Sequence, residues 1–334
     1  MEDRLARRHF ITTADWKVEE LEQLFQTAAD FKERFKRGEL TPVLQNLTLF
    51  MLFFEQSTRT RNSFEAGMTQ LGGHAHDLTP DKMQISHGET PYDTGAVLSR
   101  YGHAIGIRNC FWKLGNRYIR DVARGASVPV FNLQCDWYHP CQAAADLMTV
   151  RERFGAEELR GRKFVVSWAY APSYQKPLSV PQSLILLMPR FGMDVVLAHP
   201  PEFSLRPELL QQAQGLAKAA GTRFEIVHDM DAAFEGAHVV YPKSWGCMLH
   251  TEDLEESAAV AARYKSWICD DSRMALAASE CAYMHCLPAD RGHEVTDAVI
   301  DGSQSIVFDE AENRLHVQKA LMALTMTGDK RGEY

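Results

Sequence analysis

The chain has 334 residues, 45% of them hydrophobic and 24% charged, with a formal net charge of −8 and a pI near 5.9. That length supports roughly two domains of about 150 residues, each with a real core; ordinary counts of 21 Gly and 14 Pro exclude disorder or a collagen-like repeat as the main character. An acidic balance argues against a broad nucleic-acid or membrane surface, while local basic clusters can still hold small anions.

Met1 to Glu20 is charged throughout and lacks an apolar h-region, so no secretory signal is expected there. Leu21, Leu24, Phe25, Ala28 and Phe31 recur at helical spacing and predict an amphipathic helix over Trp16 to Arg37. The apolar run Leu47 to Phe54 reads as a buried strand. It ends in Glu55-Gln-Ser-Thr-Arg-Thr-Arg61, after which Phe64, Met68 and Leu71 continue as a helix stopped by Gly72-Gly73. Ala104 to Arg108 and Val128 to Gln134 are further strands, the second leading through His139-Pro-Cys-Gln142 into a helix that reaches Phe154. Pro140 suits the first turn, where its missing N–H removes nothing.

The polar, glycine-bearing stretch from Phe154 to Arg162 is the expected domain boundary. Strands follow at Lys163 to Trp168, Met193 to Ala198, His238 to Tyr241 and Ala282 to Cys286, with a terminal helix over Ala311 to Met326. Strands alternating with helices in both halves predict an α/β fold of two doubly wound parallel-sheet domains, with sites at the strand C-termini. No apolar run approaches the roughly 20 residues that span a bilayer. The seven cysteines form no Cys-x-x-Cys pair, which suits a reducing compartment, and a cytoplasmic protein is expected.

Ser57-Thr-Arg-Thr-Arg61 carries the sharpest chemical signal. Hydroxyls, guanidiniums and helix-start amides at a strand-to-helix turn form an anion cradle, since arginine's fork matches phosphate oxygens. A capped helix with solvated arginines is the plainer alternative. His139 and Gln142 offer an imidazole and an amide at a second helix start. Cys135, His139 and Cys141, or Cys281, His285 and Cys286, lack the paired spacing of a zinc site, so no metal is expected. Neither a Gly-x-Gly-x-x-Gly turn nor a P-loop occurs, and no cofactor is expected.

These segments, with Gln84 in Met83-Gln-Ile-Ser-His-Gly-Glu89, Arg108, His285-Cys-Leu-Pro-Ala289 and Asp309-Glu-Ala-Glu-Asn-Arg-Leu-His316, come in the order seen in transcarbamylases. The chain resembles the aspartate/ornithine carbamoyltransferase family along nearly its whole length, in its ornithine and N-acetylornithine branch. The resemblance implies a carbamoyl phosphate-binding domain over 1–153, an amino-acceptor domain over 154–311 and a C-terminal helix, 312–334, packed back on the first. It implies that Ser57, Thr58, Arg59 and Thr60 hold the phosphoryl end of carbamoyl phosphate. Arg108, His139 and Thr60 would meet its carbonyl oxygen, and Gln142 its amide. Cys286, Leu287 and Arg314 would close over the ligand, and Gln84 would reach a neighbouring subunit's site in a homotrimer. Arg59, Arg108, His139, Gln142 and Cys286 are then the catalytic set, with no covalent enzyme intermediate and with Cys286 as the candidate to assist deprotonation of the amine.

The acceptor half departs from the ornithine pattern. Tyr241-Pro-Lys-Ser-Trp-Gly246 stands in place of an Asp-x-x-x-Ser-Met-Gly segment and resembles the Lys-Ser-Trp-Gly form of acetylornithine-type enzymes. Lys243 is therefore the candidate for the acceptor's carboxylate, with Trp245 and Leu287 beside it. The proline-rich loop from Trp168 to Pro181 resembles that of knotted transcarbamylases whose acceptor is unassigned. Where acetylornithine enzymes carry a glutamate four residues before the histidine, Cys135 stands here, with Asp136 the adjacent carboxylate. Carbamoyl transfer to an amino-acid derivative is the leading expectation. Alternatives are ornithine or N-acetylornithine carbamoylation in arginine synthesis, catabolic phosphorolysis of a ureido compound, and a non-catalytic anion-binding regulator.

Overall fold

The computed structural model describes residues 5–172 and 175–327. It divides into two units, Met1–Ala145 with Glu312–Tyr334, and Asp146–Ala311. Both boundaries fall inside continuous helices, α5 (Pro140–Phe154) and α12 (Val307–Met326), and not in the glycine-bearing turn after Phe154.

In the first unit α1 (Val18–Lys36) precedes a four-stranded, fully parallel sheet in the order β2-β1-β3-β4. The strands are β1 (Thr48–Phe53), β2 (His74–Leu78), β3 (Ala104–Asn109) and β4 (Val130–Cys135), connected through α2 (Thr58–Gln70), α3 (Pro91–Tyr101) and α4 (Gly115–Gly125). Apart from the half-buried Phe50, the apolar residues of β1, β3 and β4 are buried, as strands covered on both faces require. The edge strand β2 has no apolar signature: His74, His76 and Asp77 are exposed, and the pattern that predicts the other strands passes over it.

The second unit holds a five-stranded parallel sheet, β7-β6-β5-β8-β9. Its strands are β5 (Lys163–Trp168), β6 (Asp194–Ala198), β7 (Phe224–Val227), β8 (Val239–Lys243) and β9 (Ala282–Tyr283), with α6 (Ser179–Leu187), α7 (Pro207–Ala220), α8 (Met230–Phe234), α9 (Leu254–Ala261), α10 (Asp271–Met274) and α11 (Asp297–Ile300) around it. Two expectations change here. The strand expected over Ala282 to Cys286 stops at Tyr283; the Met284 amide still reaches the Val240 carbonyl, but the His285 amide turns to the Glu310 carboxylate. The final helix starts at Val307 and not Ala311, because Glu310, polar in the sequence, is buried inside it.

The proline-rich loop expected to thread the second unit includes Ser173 and Tyr174, which lie outside the described residues. No helix among the described residues is long and apolar enough to cross a membrane.

Candidate active site

In each sheet the strand order reverses beside the first strand of the unit, between β1 and β3 and between β5 and β8. Connections diverge to opposite faces there, so a crevice opens at the carboxyl ends of those strands. Phe53 is paired with Arg108 across the first crevice and Trp168 with Lys243 across the second.

In the first unit β1 hands over to α2, whose N-cap is Ser57. Its hydroxyl accepts the Thr60 amide at 3.3 Å, and the remaining first-turn amides carry the positive end of the helix dipole. Thr58 is exposed, Arg59 half-buried and Thr60 buried. Arg314, buried on α12, donates from Nη2 to the Thr60 hydroxyl. The same guanidinium acts on Cys141 in the first turn of α5, partly countering burial, which pushes that thiol up to about 12. Arg314 is thereby placed by both helix starts.

His139 precedes Pro140, and its carbonyl accepts the amides of Gln142 and Ala143, so it closes the amino end of α5; both His139 and Gln142 are buried. Arg108 is half-buried at the end of β3, and its Nε has no hydrogen-bond partner among the described residues. Its counter-charge is Glu55, whose carboxylate takes the Cys110 amide at 2.8 Å. Burial raises the Glu55 pKa, against the pull of that amide and of Arg108.

Three residues of the sequence motifs do other work. Arg61, half of the expected arginine cradle, pairs with Asp77 and lies over the Phe53 ring with its Cζ 4.2 Å from the centroid. Asp136 does not stand in for a glutamate: its oxygens accept the amides of Lys113 at 3.0 Å and Asn116 at 2.7 Å, where α4 begins. Gly115 is required beside it, since a Cβ would come 1.9 Å from the Asn109 carbonyl oxygen. Cys135 turns inward, its Sγ accepting the Tyr138 amide at 3.2 Å, and burial pushes the thiol up to about 12. Gln84 is not gathered with the others; it is exposed, its amide oxygen 2.7 Å from His87 Nδ1.

The second unit builds a buried charge cluster around the end of β8. Lys243 is 6% exposed and donates to the Ser244 carbonyl at 2.8 Å. Burial pushes its ammonium down, opposed by Cys286, Glu294 and Asp290 and reinforced by Lys176. Glu294 is 0% exposed and organises the surroundings. One oxygen accepts the Ser244 amide at 2.5 Å and faces His285 Nε2 at 3.3 Å; the other accepts the Asp290 amide and Lys176 Nζ, both at 2.7 Å. Burial alone would raise this carboxyl, yet His285, Lys176 and Lys243 hold it well below the usual carboxylate range.

His285 Nδ1 accepts the Leu287 amide at 2.9 Å, so the ring proton sits on Nε2 toward Glu294. Leu287 itself has φ of 54° before a cis Leu287–Pro288 bond, a left-handed conformation uncommon for a side-chain-bearing residue. Cys286 is half-exposed next to it and acts electrostatically on Lys243. Behind this turn Glu310 accepts the Tyr241 hydroxyl and the His285 amide, each at 2.9 Å.

Lys176, Glu294 and Glu310 are the residues that sequence reasoning passed over. The signal available for Glu294 was a lone acid in His293-Glu-Val-Thr296; its burial is visible only in three dimensions. No group of three or more His, Cys, Asp or Glu among the described residues could hold a metal ion.

Residues 8–152 match the family model for the aspartate/ornithine carbamoyltransferase carbamoyl-P binding domain, and residues 176–325 that for the Asp/Orn binding domain. The ornithine carbamoyltransferase of Halalkalibacterium halodurans is 40% identical over 325 residues, covering 97% of each chain. The N-acetylornithine carbamoyltransferase of Xanthomonas axonopodis pv. citri is 37% identical, covering 96% of each. A putative carbamoyltransferase of Escherichia coli K12, YgeW, is also 37% identical, covering 95% of this chain and 89% of its own. Among solved structures, ornithine carbamoyltransferase from Pyrococcus furiosus superposes with a TM-score of 0.88 at 38% identity, covering 98% of this chain and 99% of that one. Acetylornithine transcarbamylase complexed with acetylcitrulline gives 0.87 at 36% identity, covering 95% and 98%. A variant of N-acetyl-L-ornithine transcarbamylase, complexed with carbamyl phosphate and N-succinyl-L-norvaline, gives 0.87 at 36% identity, covering 95% and 99%.

Proposed function

Because the chain belongs to the aspartate/ornithine carbamoyltransferase family, we propose a division of labour for its carbamoyl transfer: the first unit holds carbamoyl phosphate, and the second an amino-acid acceptor anchored by its carboxylate on Lys243. The chain is a carbamoyltransferase; the proposal concerns the residues and the acceptor.

Ser57, Thr58, Arg59 and Thr60 at the α2 start take the phosphoryl group, with Arg314 alongside Thr60. Arg108 and His139 receive the carbonyl oxygen, and Gln142 the carbamoyl amide. The acceptor's amine attacks the carbamoyl carbon, a C–N bond forms, and the C–O bond to phosphate breaks. Negative charge grows first on the carbonyl oxygen, where each pre-placed donor is worth about 3–4 kcal/mol. It then moves to the departing phosphate facing Arg59. The amine must attack in its neutral form; for a group of pKa about 10.4 that costs on the order of 4.6 kcal/mol at pH 7. The departing phosphate accepts the proton, with Cys286 assisting at the acceptor side.

Lys243 carries the acceptor assignment. An ammonium with three donors lies nearly buried, and its one hydrogen bond among the described residues goes to the Ser244 carbonyl. A buried cation left with unused donors is costly unless an anion completes it. A lysine here also repels a free α-ammonium, which favours acceptors whose α-amino group is acylated over ornithine itself.

The proposal extends to a threaded second unit, to a homotrimer in which the exposed Gln84 serves an adjoining subunit, and to a cytoplasmic setting, supported by seven free cysteines. A colorimetric ureido-product screen over ornithine, N-acyl ornithines, diaminopropionate derivatives, putrescine and aspartate tests the acceptor class. Lys243→Ala is expected to raise acceptor KM at least tenfold with carbamoyl phosphate affinity nearly unchanged. Equal loss of both ligands would refute the division.

A further inference from the structure

Glu55 follows the end of β1 and Arg108 lies near the end of β3, on the two strands between which the first crevice opens. The ladder continues to this point, since the Phe54 amide donates to the Arg108 carbonyl at 3.0 Å. Glu55 is half-buried. Its Oε1 accepts the Cys110 amide at 2.8 Å. Its Oε2 is buried with no hydrogen-bond partner among the described residues, and so is Arg108 Nε. The guanidinium attracts this carboxylate, yet each group keeps a buried polar atom unbonded. Such atoms are costly, and more so on a charged group. An anion arriving at Arg108 satisfies the guanidinium and leaves Glu55 without its cation.

The groups facing Glu55 are Arg108 on β3 and the amide and thiol of Cys110 just after it. Burial pushes the Cys110 thiol far up, with Cys135 and Asp136 acting in the same direction, so it is neutral. Tyr118 of α4 packs on Phe54 with ring centroids 4.9 Å apart; burial pushes its hydroxyl up to about 12, and it is neutral too. On α2, Arg61 is drawn to Asp77, and Arg59 is the residue assigned to the phosphoryl group. Arg108 is the cation that acts on the Glu55 carboxylate, whose pKa burial already raises.

We propose that Glu55 is a placeholder anion for Arg108: when carbamoyl phosphate takes the guanidinium, the released carboxylate picks up one proton from solvent on Oε2. An O–H bond forms there and no other bond changes. A neutral carboxyl costs less to keep buried than a carboxylate, and it no longer repels the negative charge that grows on the carbonyl oxygen. Glu55 acts through Arg108 and is a positioning residue. The inference rests on the reading of Arg108 as the group that receives that oxygen, and it adds a proton to the binding equilibrium.

The test titrates the whole enzyme with carbamoyl phosphate by calorimetry at pH 7, in buffers of different ionisation enthalpy, which counts protons. Uptake of several tenths of a proton, approaching one, is expected, and affinity should tighten by up to about tenfold per unit fall in pH from 8 to 6.5. Glu55→Gln keeps an oxygen for the Cys110 amide and loses the charge. It is expected to bind carbamoyl phosphate about threefold or more tighter than wild type at pH 8, without the extra proton. Ionisation of the ligand itself is common to both proteins. A merely structural glutamate would give weaker binding in the variant, so weaker binding or an unchanged proton count overturns the proposal. A wild-type enzyme that takes up no proton overturns it without any variant. Arg108→Gln tests the reading beneath. Unchanged carbamoyl phosphate affinity there refutes the role of Arg108; lowered affinity, with Glu55→Gln behaving as wild type, keeps that role and refutes the placeholder.

Discussion

Replacing Glu294 by glutamine probes the buried cluster with almost no change in volume. The native carboxylate accepts from four donors: the Ser244 amide and His285 Nε2 on one oxygen, the Asp290 amide and Lys176 Nζ on the other. A carboxamide can keep the first pair on its oxygen, but its NH₂ then faces the Asp290 amide and Lys176, donors against donors. Lys176 is left with Asp290 Oδ2 at 3.1 Å as its anionic partner. Breaking a buried pair by removing one charge typically costs 3–5 kcal/mol; with Asp290 retained, the lower end, about 3 kcal/mol, is expected. Urea unfolding followed by tryptophan fluorescence reads this out, since Trp168, Trp245 and Trp267 all belong to the second unit. The effect has a definite pH signature. The folded Glu294 pKa lies below its unfolded value, so its contribution is complete above the unfolded carboxylate pKa of about 4.3 and is lost as pH falls through the folded one. Wild type and Glu294→Gln should therefore differ by a constant amount from pH 6 to 8 and converge under acid. A loss below about 1 kcal/mol at pH 7, or a gap that widens as pH falls, would refute the charge-cluster account.

Arg59 and Arg61 stand two positions apart in one motif yet are assigned different work, and alanine substitutions separate them. Arg59→Ala should abolish turnover and weaken calorimetric binding of carbamoyl phosphate, whereas Arg61→Ala should keep kcat within about threefold and lose roughly 1 kcal/mol of stability, the scale of a partly exposed ion pair with a cation–π contact. Wild-type carbamoyl phosphate affinity in Arg59→Ala would remove that residue from the site. Ser57→Ala removes the α2 cap, worth about 1 kcal/mol, and should also raise carbamoyl phosphate KM; a stability loss with unchanged KM would reduce Ser57 to a cap alone. Cys286→Ala should shift the pH profile of turnover if the thiol helps deprotonate the amine, and an unchanged profile would end that role.

The fold is legible in the sequence wherever a strand is buried on both faces, because then an unbroken apolar run leads straight into a polar turn, as at Leu47–Arg61. An exposed edge strand escapes: β2, with His74, His76 and Asp77 exposed, shows no such run. That omission propagates to the site, since Asp77 on β2 is what draws Arg61 away from the anion cradle. The Lys176–Glu294 contact joins positions 118 apart and leaves no local pattern. Motif chemistry names residue types, whereas long-range pairing decides where an individual side chain such as Arg61 is held. The same limit applies to Asp136, a plausible surrogate carboxylate by position and a helix-start ligand by contact.

Arg314 reaches Thr60 across 254 positions of chain, and the whole second unit is inserted between them. A ribosome therefore completes the Ser57–Arg61 turn long before the guanidinium that braces Thr60 has been translated. Until that last helix emerges and docks, Thr60 lacks its guanidinium partner, so a chain truncated before Arg314 loses this brace at a point far upstream of the break.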